Sequence, residues 1–510
     1  MERMKIQANV ADGSNVHADM VAVWAWTPTG KADSGFTLSD EAKKVDAALG
    51  KMLTEIAVAE GFEAKKSTNL MVHTHGKIPA KRVLLVGLGK VSELTLSDWQ
   101  NIAAQIGRIA KGVSAKRIAV TGEPHVSERF GTKQTAQGFV EGIRLGTYEF
   151  LKHKSPDVQK KEKIIEDVQM LVRSPHQKDT EGGIRNGQIT ADAVCFARDL
   201  VNEPPSVTTP NYLARAAETL SRNNPSISCT VYGKKDIEKL GMGGLIGIAQ
   251  GSAEEPKFIH LTYRGRSKKS VAIIGKGITF DTGGLSIKSS KGMETMKLDM
   301  AGAATVLAVF HALGRLNPKI NVEGLIAATE NMPGSRAIKP GDVVTAMNGK
   351  TIEILNTDAE GRVVLADALS YAAERVKPDV MIDLATLTFA CVVALGEEIA
   401  GLFANNADLA LKLTEAARDS GERVWELPLA QEYGEMIKST VADVKNATAT
   451  RYGGAITAAL FLSEFVPKNI PWAHIDIAGP AFAEKKSPLT PIGGTGFGVR
   501  TLLSYLVRGA

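Results

Sequence analysis

Four carboxylates lie close to predicted turns in the second half of the chain, where they could bind cations or move protons. Asp281 follows the apolar run VAIIGKGITF, and Asp299 precedes the alanine-rich run AGAATVLAVF. Asp358 and Glu360 stand two residues apart in NTDAEGR, between a strand-like and a helix-like run. Because the carboxyl ends of parallel strands meet at one edge of a sheet, these side chains are expected to converge. Oxygen ligands of this kind suit divalent metal ions.

Three cationic residues, Lys276, Lys288 and Arg362, lie in the same segments. Buried carboxylates are costly to hold together unless cations offset their charge. The cluster could therefore be a salt-bridge network in which Asp358 or Asp299 caps a helix and Arg362 pairs with Glu360. It could equally leave room for metal ions or for a phosphate group. The charge count alone leaves both interpretations open.

Other sequence motifs for catalysis are absent or weak. GLGK (87–90) and GKG (275–277) follow strand-like runs, but they complete neither a dinucleotide-binding motif nor a P-loop. The nucleophile elbow GxSxG and the zinc motif HExxH are absent. His73 and His75 form a close pair without an acidic or cysteine partner nearby in sequence, which favours an exposed loop or edge strand. His474 lies in an apolar run and is expected to be a hydrogen-bonded core histidine.

A chain of 510 residues is long enough for two hydrophobic cores, so we expect two domains. The runs KRVLLVGLGK and KRIAVTG predict strands, and residues 95–113 between them predict a helix capped by Ser97 or Asp98. This alternation predicts an N-terminal α/β domain over residues 1–173.

Residues 174–200 are expected to form a linker with a connecting helix, followed by a second, larger domain over 201–510. In that domain, apolar runs alternate with helix-like runs, which predicts a largely parallel sheet covered by helices on both faces. Ligands of such sheets bind at the carboxyl ends of the strands. The predicted strands are 271–277, 320–329, 350–356, 380–387 and 472–479, and the main predicted helices are 301–316 and 361–376.

The composition is that of a globular protein that requires no charged partner. The 61 basic and 56 acidic residues give a net charge of +5, which is weak for this length and argues against an obligatory nucleic-acid or anionic-membrane partner. Three separated cysteines without a CxxC motif fit a reducing compartment. The amino terminus lacks the apolar core of a secretory signal, and we find no apolar run near the ~20 residues of a membrane helix. We therefore expect a cytoplasmic protein without a membrane partner.

The segments that carry the carboxylates resemble one known family, the leucyl or cytosol aminopeptidases. The resemblance extends over the larger predicted domain and is weaker before it. It implies a metallo-exopeptidase of the leucyl aminopeptidase type, a homohexamer that releases leucine-like or other apolar N-terminal residues from peptides. The stretches that carry it are GKGITFDTGGLSIK (275–288), MKLDMAGAA (296–304), NTDAEGRVVLADAL (356–369) and DLATLTFAC (383–391), supported by RDLVNEPPSVTTP and WAHIDIAG.

The resemblance also implies two divalent ions per subunit, manganese or zinc. By position, Asp281 and Glu360 would bridge the two ions. Lys276 and Asp299 would complete the more loosely held ion, and Asp358 would complete the other. A lysine ammonium has no lone pair, so Lys276 must be neutral to act as a ligand, and protons compete with the metal for this site.

In the mechanism that the family implies, a water that bridges both ions attacks the peptide carbonyl, while the substrate's α-amine binds the ion held by Asp299. Lys288 would stabilise the developing oxyanion. Arg362 would hold a bicarbonate ion that moves the proton, because its planar fork matches a planar oxyanion. The backbone donors expected near this bicarbonate are those of Ala359, Gly361 and Leu387.

One position departs from the family pattern. Phe389 stands where the family has glycine, in the pocket for the first side chain of the substrate. A phenylalanine there could narrow the pocket or turn away into packing, so the side-chain preference is open at this position. The other residues that the resemblance places in the pocket are Met296, Thr386, Ala478 and Ala481.

Two other classes of function are compatible with parts of the sequence. Some relatives double as DNA-binding regulators, and the basic stretch with Lys160, Lys161 and Lys163 could support that role, although a solvated charged face explains it as well. A nucleotide-binding enzyme built on GLGK and GKG would be stabilised by nucleotide, whereas a metallopeptidase would be stabilised by Mn²⁺ or Zn²⁺.

Overall fold

The structure, a computed structural model, describes residues 4–28 and 35–509. The chain forms two compact units, one of residues 1–191 with 486–491 and the other of residues 192–485 with 492–510. The boundary between them falls inside the 26-residue helix Gln177–Asn202. Much of the segment expected as a linker is therefore helical.

The first unit is a sheet covered by helices on both faces. Its strands are β1 (Lys5–Asn9), β2 (Met20–Trp26), β3 (Thr37–Leu38), β4 (Asn69–His73), β5 (Arg82–Gly87), β6 (Arg117–Thr121) and β7 (Asp167–Leu171). Its helices are α1 (Asp40–Ala48), α2 (Met52–Ala59), α3 (Leu96–Gly112), α4 (Pro124–Phe130), α5 (Thr132–Gly146), α6 (Pro156–Lys160) and the first part of α7 (Gln177–Asn202).

The sheet of the first unit has the order β1-β7-β6-β2-β5-β4, with β3 paired to β2. Strands β1, β7, β6, β2 and β5 run parallel, and β4 is an antiparallel edge strand. Apolar residues of α3 and α5 pack on one face, and those of α1 and α2 pack on the other. This arrangement confirms the predicted α/β fold of the N-terminal part of the chain.

The helix predicted over 95–113 is confirmed as α3, but the predicted caps, Ser97 and Asp98, are wrong. Thr95 is the N-cap, because its hydroxyl accepts from the Asp98 N–H at 3.1 Å. The Asp98 carboxylate in turn accepts from the Thr95 N–H at 3.0 Å, which completes a capping box. Asp98 is thus the third residue of the helix rather than its cap.

The second unit carries the larger sheet and the cluster of carboxylates. Its strands are β8 (Ile227–Tyr232), β9 (Lys257–Tyr263), β10 (Ser270–Asp281), β11 (Asn321–Asn331), β12 (Val343–Thr345), β13 (Thr351–Glu353), β14 (Val380–Ala385), β15 (Ala400–Ala404), β16 (Val424–Glu426), β17 (Val444–Lys445), β18 (Trp472–Asp476), β19 (Phe482–Ala483) and β20 (Gly493–Gly494). Its helices are α8 (Pro210–Asn223), α9 (Lys234–Lys239), α10 (Gly243–Ala249), α11 (Ser290–Met293), α12 (Ala301–Leu316), α13 (Gly361–Tyr371), α14 (Phe389–Leu395), α15 (Ala407–Ser420), α16 (Gly454–Ser463) and α17 (Val499–Arg508).

The main sheet of the second unit has eight strands in the order β16-β15-β18-β14-β10-β11-β9-β8. Its centre, β18-β14-β10-β11, is parallel, and β15, β9 and β8 add antiparallel neighbours on either side. The predicted strands at 271–277, 320–329, 380–387 and 472–479 are these four central strands. The sheet is therefore mixed, with the parallel centre that the sequence predicts.

The prediction that residues 350–356 form a strand of this main sheet is wrong. Only β13 (Thr351–Glu353) forms there, and it pairs with β12 and β17 in a separate three-stranded sheet. The alternation of apolar residues in KTIEIL fits either location, because periodicity does not tell which strand will be its neighbour. The loop with Asp358 and Glu360 therefore starts from the small sheet.

Helix α12 is the central apolar helix of this unit. The stretch 290–316 is long and apolar enough to span a membrane, yet 78% of its most apolar window is buried inside the protein, as in a core helix. A Cβ on Gly302 would overlap the carbonyl oxygen of Leu384, so glycine allows the first turn of α12 to lie against β14. This close approach brings Asp299, just before α12, next to β10.

Candidate metal site

The four carboxylates predicted from the sequence converge. Asp281 ends β10, Asp299 lies on the 3₁₀ turn Met296–Met300, and Asp358 and Glu360 lie on the loop before α13. Ligand oxygens of Asp281, Asp358 and Glu360 lie within 4.8 Å of one another. Such a group of oxygen atoms is suited to a hard or borderline divalent cation.

Lys276 lies on β10 in the middle of these acids, and its residue is only 3% exposed. Its Nζ is 2.8 Å from Asp299 Oδ1, 2.8 Å from Glu360 Oε1 and 3.0 Å from the carbonyl oxygen of Thr386, to which it donates. Asp299 Oδ1 also accepts from the Thr386 hydroxyl at 2.7 Å. Lys276 is therefore held on three sides.

Lys288 occupies the other side of the cluster and is partly exposed. Its ammonium forms an ion pair with Asp281 Oδ2 at 2.8 Å and another with Asp358. The second oxygen of Asp281 accepts from the Gly283 N–H at 2.8 Å and from the Asn331 amide at 2.7 Å. Both oxygens of this carboxylate are thus fixed in place.

Arg362 lies close enough for the charges of Glu360 and Asp476 to act on its guanidinium, but the guanidinium donates to a backbone carbonyl. Its Nη1 donates to the carbonyl oxygen of Asn446 at 2.9 Å, and among the described residues it forms no ion pair with Glu360. The Nε atom of Arg362 is buried without a hydrogen-bond partner in the described part of the chain. Burial lowers the pKa of Arg362 to about 10, so the side chain is still a cation at neutral pH.

The structure therefore contains part of the salt-bridge network but leaves it unbalanced. Among the described residues, Lys276 and Lys288 are the cations that form ion pairs with the four carboxylates, so the cluster would carry an excess of two negative charges if every carboxylate were ionised. Asp299 Oδ2 is buried and has no hydrogen-bond partner in residues 4–28 and 35–509. The helix-capping role considered for Asp358 is not found, because the N-cap of α13 is Glu360 and its side chain makes no cap hydrogen bond.

Burial disfavours the ionised form of two carboxylates of this cluster. It raises the pKa of Glu360 and of Asp299, and the neighbouring Asp281 carboxylate adds to both shifts. For Lys276, burial acts in the opposite direction, yet the surrounding carboxylates outweigh it and raise its pKa above the ordinary value. The pKa of Lys288 is raised by the same balance of burial and carboxylates. Protons are thus held firmly here unless another cation compensates the acids.

Several residues that hold the site in place are missing from the sequence-based set. Asn331, opposite Asp281 in the register of β10 and β11, donates to Asp281 and to the Thr357 carbonyl at 2.9 Å. Asp476, at the end of β18, accepts from the Thr388 hydroxyl at 2.7 Å and from the N–H groups of Leu387 and Ala478. Both lie at carboxyl ends of central strands, so the rule that located Asp281 would have found them if applied to every strand.

The residues expected around the substrate and the bicarbonate lie on several elements. Thr386 and Ala481 are buried, and Met296 and Ala478 are partly buried. Phe389, the first residue of α14, is 79% exposed, so it does not turn away into packing. Two of the three predicted backbone donors are engaged within the chain: the Leu387 N–H donates to Asp476 at 3.2 Å, and the Ala359 N–H donates to the Asn356 carbonyl at 3.2 Å.

The histidines take no part in this cluster. His73 and His75 are exposed on and just after the edge strand β4, as expected from the sequence. His474 is 1% exposed, and its Nδ1 lies 2.6 Å from Asp383 Oδ1. The prediction of a hydrogen-bonded core histidine is confirmed.

Comparison with known proteins agrees with this geometry over nearly the whole chain. The sequence profile of the cytosol aminopeptidase family's catalytic domain matches residues 195–503, and that of the family's N-terminal domain matches residues 21–157. The chain belongs to the cytosol aminopeptidase family. Membership makes it a metal-dependent aminopeptidase, and it confirms the resemblance found in the sequence motifs.

Individual relatives share both sequence and fold with the chain. A probable cytosol aminopeptidase of Aquifex aeolicus is 43% identical over 517 aligned residues, covering 100% of this chain and 99% of that protein. A probable cytosol aminopeptidase of Persephonella marina is 43% identical over 472 aligned residues, which cover 92% of this chain and 94% of that protein. A mutant of tomato leucine aminopeptidase matches with a TM-score of 0.89 at 34% identity, over 99% of this chain and 97% of that one. The bottromycin maturation enzyme BotP, solved in complex with Mn, matches with a TM-score of 0.83 at 34% identity, and the match covers 96% of this chain and 99% of BotP.

Proposed function

We propose that this chain hydrolyses the first peptide bond of peptides at a site that binds two divalent ions among Lys276, Asp281, Asp299, Asp358 and Glu360. One observation carries the proposal above all others. Four carboxylates form ion pairs with two ammonium groups among the described residues, and one buried carboxylate oxygen, Asp299 Oδ2, has no hydrogen-bond partner there. A buried acid in this state is costly, and bound cations would relieve that cost.

In our proposal the site would bind two ions rather than one. Asp281 and Glu360 each have neighbours on both sides of the cluster, Lys276 and Asp299 on one side and Lys288 and Asp358 on the other. The two central carboxylates would therefore be shared, as in other hydrolases with paired ions. Such ions supply Lewis-acid polarisation of the scissile carbonyl and an activated water at neutral pH.

Proton movement at Lys276 accompanies ion binding in this proposal. Because its pKa is raised by the surrounding acids, Lys276 is an ammonium while it pairs with Asp299 and Glu360. It can donate a lone pair only after this proton has left, so ion uptake at this side releases a proton. The affinity for the ion on this side would therefore depend steeply on pH.

Lys288 and Arg362 would act on the reacting groups. The ammonium of Lys288 is charged at neutral pH and reaches the rim of the cluster, where it would stabilise the oxyanion that forms on the peptide carbonyl. The unpartnered Nε of Arg362 would bind a small planar anion, bicarbonate in our proposal, which would accept the proton of the attacking water. Since Leu387 and Ala359 already use their N–H groups elsewhere, Arg362 would carry most of this binding.

The substrate's first side chain would lie near the loop between β14 and α14, in our proposal against apolar residues. Asp476 accepts hydrogen bonds from Leu387, Thr388 and Ala478, so one carboxylate fixes the conformation of this part of the proposed pocket. The exposed ring of Phe389 follows directly on this loop and would contact the substrate from the solvent side. We therefore propose an apolar preference that Phe389 modifies.

Manganese or zinc is the proposed metal, because BotP was solved with Mn and the ligand set is dominated by carboxylate oxygens. Curated relatives are named cytosol aminopeptidases, which supports a cytoplasmic location for this chain. We also propose a homohexamer, on the family resemblance.

A pair of substrates tests the proposed activity. The protein is depleted of metal with a chelator and assayed with and without Mn²⁺ or Zn²⁺ on leucinamide and on N-acetyl-leucinamide. We expect metal to restore hydrolysis of leucinamide only, because the free α-amine anchors the substrate. Equal hydrolysis of the acetylated compound, or activity that persists without metal, would contradict the proposal.

A further inference from the structure

The first unit contains a cavity of about 700 Å³, separate from the metal site in sequence and in fold. It lies where β1, β6 and β7 end, and these strands are parallel to one another. Strand β2 leads to α1 on one face of the sheet, and β6 leads to α4 and α5 on the other. A parallel sheet whose connections diverge in this way leaves a crevice outside the carboxyl ends, where ligands of α/β folds bind.

Glu123 is one of the residues that line this cavity, and only one oxygen of its buried carboxylate has a hydrogen-bond partner among the described residues. Glu123, two residues beyond β6, is 3% exposed. Its Oε1 accepts from the His125 N–H at 3.2 Å, whereas its Oε2 is buried without a hydrogen-bond partner in the described residues. Burial raises the pKa of Glu123 to about 7. The capping of α4 uses only Oε1, so Oε2 is free to accept a hydrogen bond from a ligand.

The remaining charges of the lining favour a cation. Lys44 is already paired with Asp12 at 3.0 Å and with Glu41 at 2.7 Å. Arg173 lies 4.0 Å from Asp40 at the rim. With these pairs formed, no lysine or arginine of the described lining pairs with the Glu123 carboxyl. The charges that act on it are those of His125, Asp40 and Glu128, and the two acids disfavour an anionic ligand beside it.

Part of the lining of the cavity is apolar. Trp99, Phe139, Met170 and Val120 contribute to its walls, and the one polar atom of the Trp99 ring already donates to the Thr135 carbonyl at 2.9 Å. A ligand here would bury an apolar body against these side chains. The volume is large enough for a molecule of drug-like size.

From this juxtaposition of an unpartnered buried carboxylate and an apolar wall, we propose that the N-terminal unit binds a small organic amine, an apolar body that carries a protonated nitrogen. The ammonium would donate to Glu123 Oε2, and the apolar body would lie against Trp99 and Phe139. The established peptidase chemistry does not use this site.

The test is calorimetric titration of the metal-loaded full chain with 2-phenylethylamine, and separately with 3-phenylpropionate, which has a similar body and the opposite charge. We expect the amine alone to bind, and Glu123→Gln to weaken it by about tenfold or more, since a charge-assisted hydrogen bond is lost. Glu93→Gln removes the same charge from an exposed position of this unit and should leave binding unchanged. Peptidase activity of Glu123→Gln should equal that of the wild type.

Three results would overturn the proposal. One is binding to Glu123→Gln with wild-type affinity. Another is binding of 3-phenylpropionate as tightly as the amine. The third is loss of amine binding in Asp358→Ala but not in Glu123→Gln, which would place the ligand at the metal site. Ser127→Trp, which inserts a large ring from the partly buried lining of α4, should also block binding while leaving Glu123 in place.

Discussion

Replacing Gly361 by alanine should disable the site without removing any ligand. A Cβ at this position would lie 2.6 Å from Lys276 Nζ and closer still to Cε. An ordinary contact needs about 3.4 Å, so the Lys276 ammonium would have to move by about 0.8 Å. Lys276 cannot swing away freely, because Asp299, Glu360 and the Thr386 carbonyl hold it within 3.0 Å.

A displacement of about 1 Å in a catalytic group can reduce the rate by about 10²-fold, or roughly 2.7 kcal/mol of transition-state stabilisation. We therefore expect kcat/KM of Gly361→Ala on leucinamide to fall by about two orders of magnitude, with a weaker apparent affinity for added metal. Gly434→Ala is the matched control, since a Cβ there meets no atom within 4 Å. Wild-type kcat/KM and metal dependence in folded Gly361→Ala would refute the placement of Lys276 in the site.

Three further predictions concern stability, selectivity and pH. Asp367→Asn should lower the free energy of unfolding by about 1–3 kcal/mol in urea titrations. The two oxygens of this fully buried carboxylate accept hydrogen bonds from the N–H groups of Leu245 and Met347, each at 2.8 Å, whereas an amide has one oxygen and an NH₂ group that cannot accept. An unchanged midpoint of the urea transition would contradict this prediction. Phe389→Gly should change the ratios of kcat/KM among leucine, methionine and alanine amides by roughly tenfold, and constant ratios would show that the exposed ring does not touch the substrate. Because the pKa of Glu360 is raised, this carboxyl holds a proton at a pH where ordinary carboxylates are ionised, and the proton competes with a metal ion. The Kd for Mn²⁺ measured by calorimetry should therefore increase as the pH is lowered from about 8 to about 6. A Kd that stays constant over this range would contradict the competition between proton and metal.

The central strands of the second unit could be predicted because each is an apolar run between helix-like segments. Asp281 could be located because it ends such a run, β10, in the register of a parallel sheet. Asp358 and Glu360 could be located because NTDAEGR lies between a strand-like and a helix-like run, although the strand before it belongs to a different sheet. Local patterns thus predict which elements form more reliably than which elements become neighbours.

The partners within the site could not be read from spacing. Arg362 donates to the carbonyl of Asn446, which is 84 residues away in the chain, instead of pairing with the nearby Glu360. Asn446 itself accepts from the Leu355 N–H and donates to the Asn356 carbonyl, so a residue outside every motif holds the loop of the site. These contacts depend on tertiary packing, for which a single sequence contains no periodic signal.

The most direct test of the central claim is the metal dependence of leucinamide hydrolysis in Asp358→Ala. This substitution removes one carboxylate of the three whose oxygens lie within 4.8 Å of one another, at a partly exposed position where the fold should tolerate it. If these acids hold catalytic metal ions, the kcat/KM of folded Asp358→Ala should be lower than that of the wild type by at least about 10²-fold. Both proteins are compared at a Mn²⁺ concentration that saturates the wild type. Full metal-dependent activity in this variant would contradict the assignment of the site.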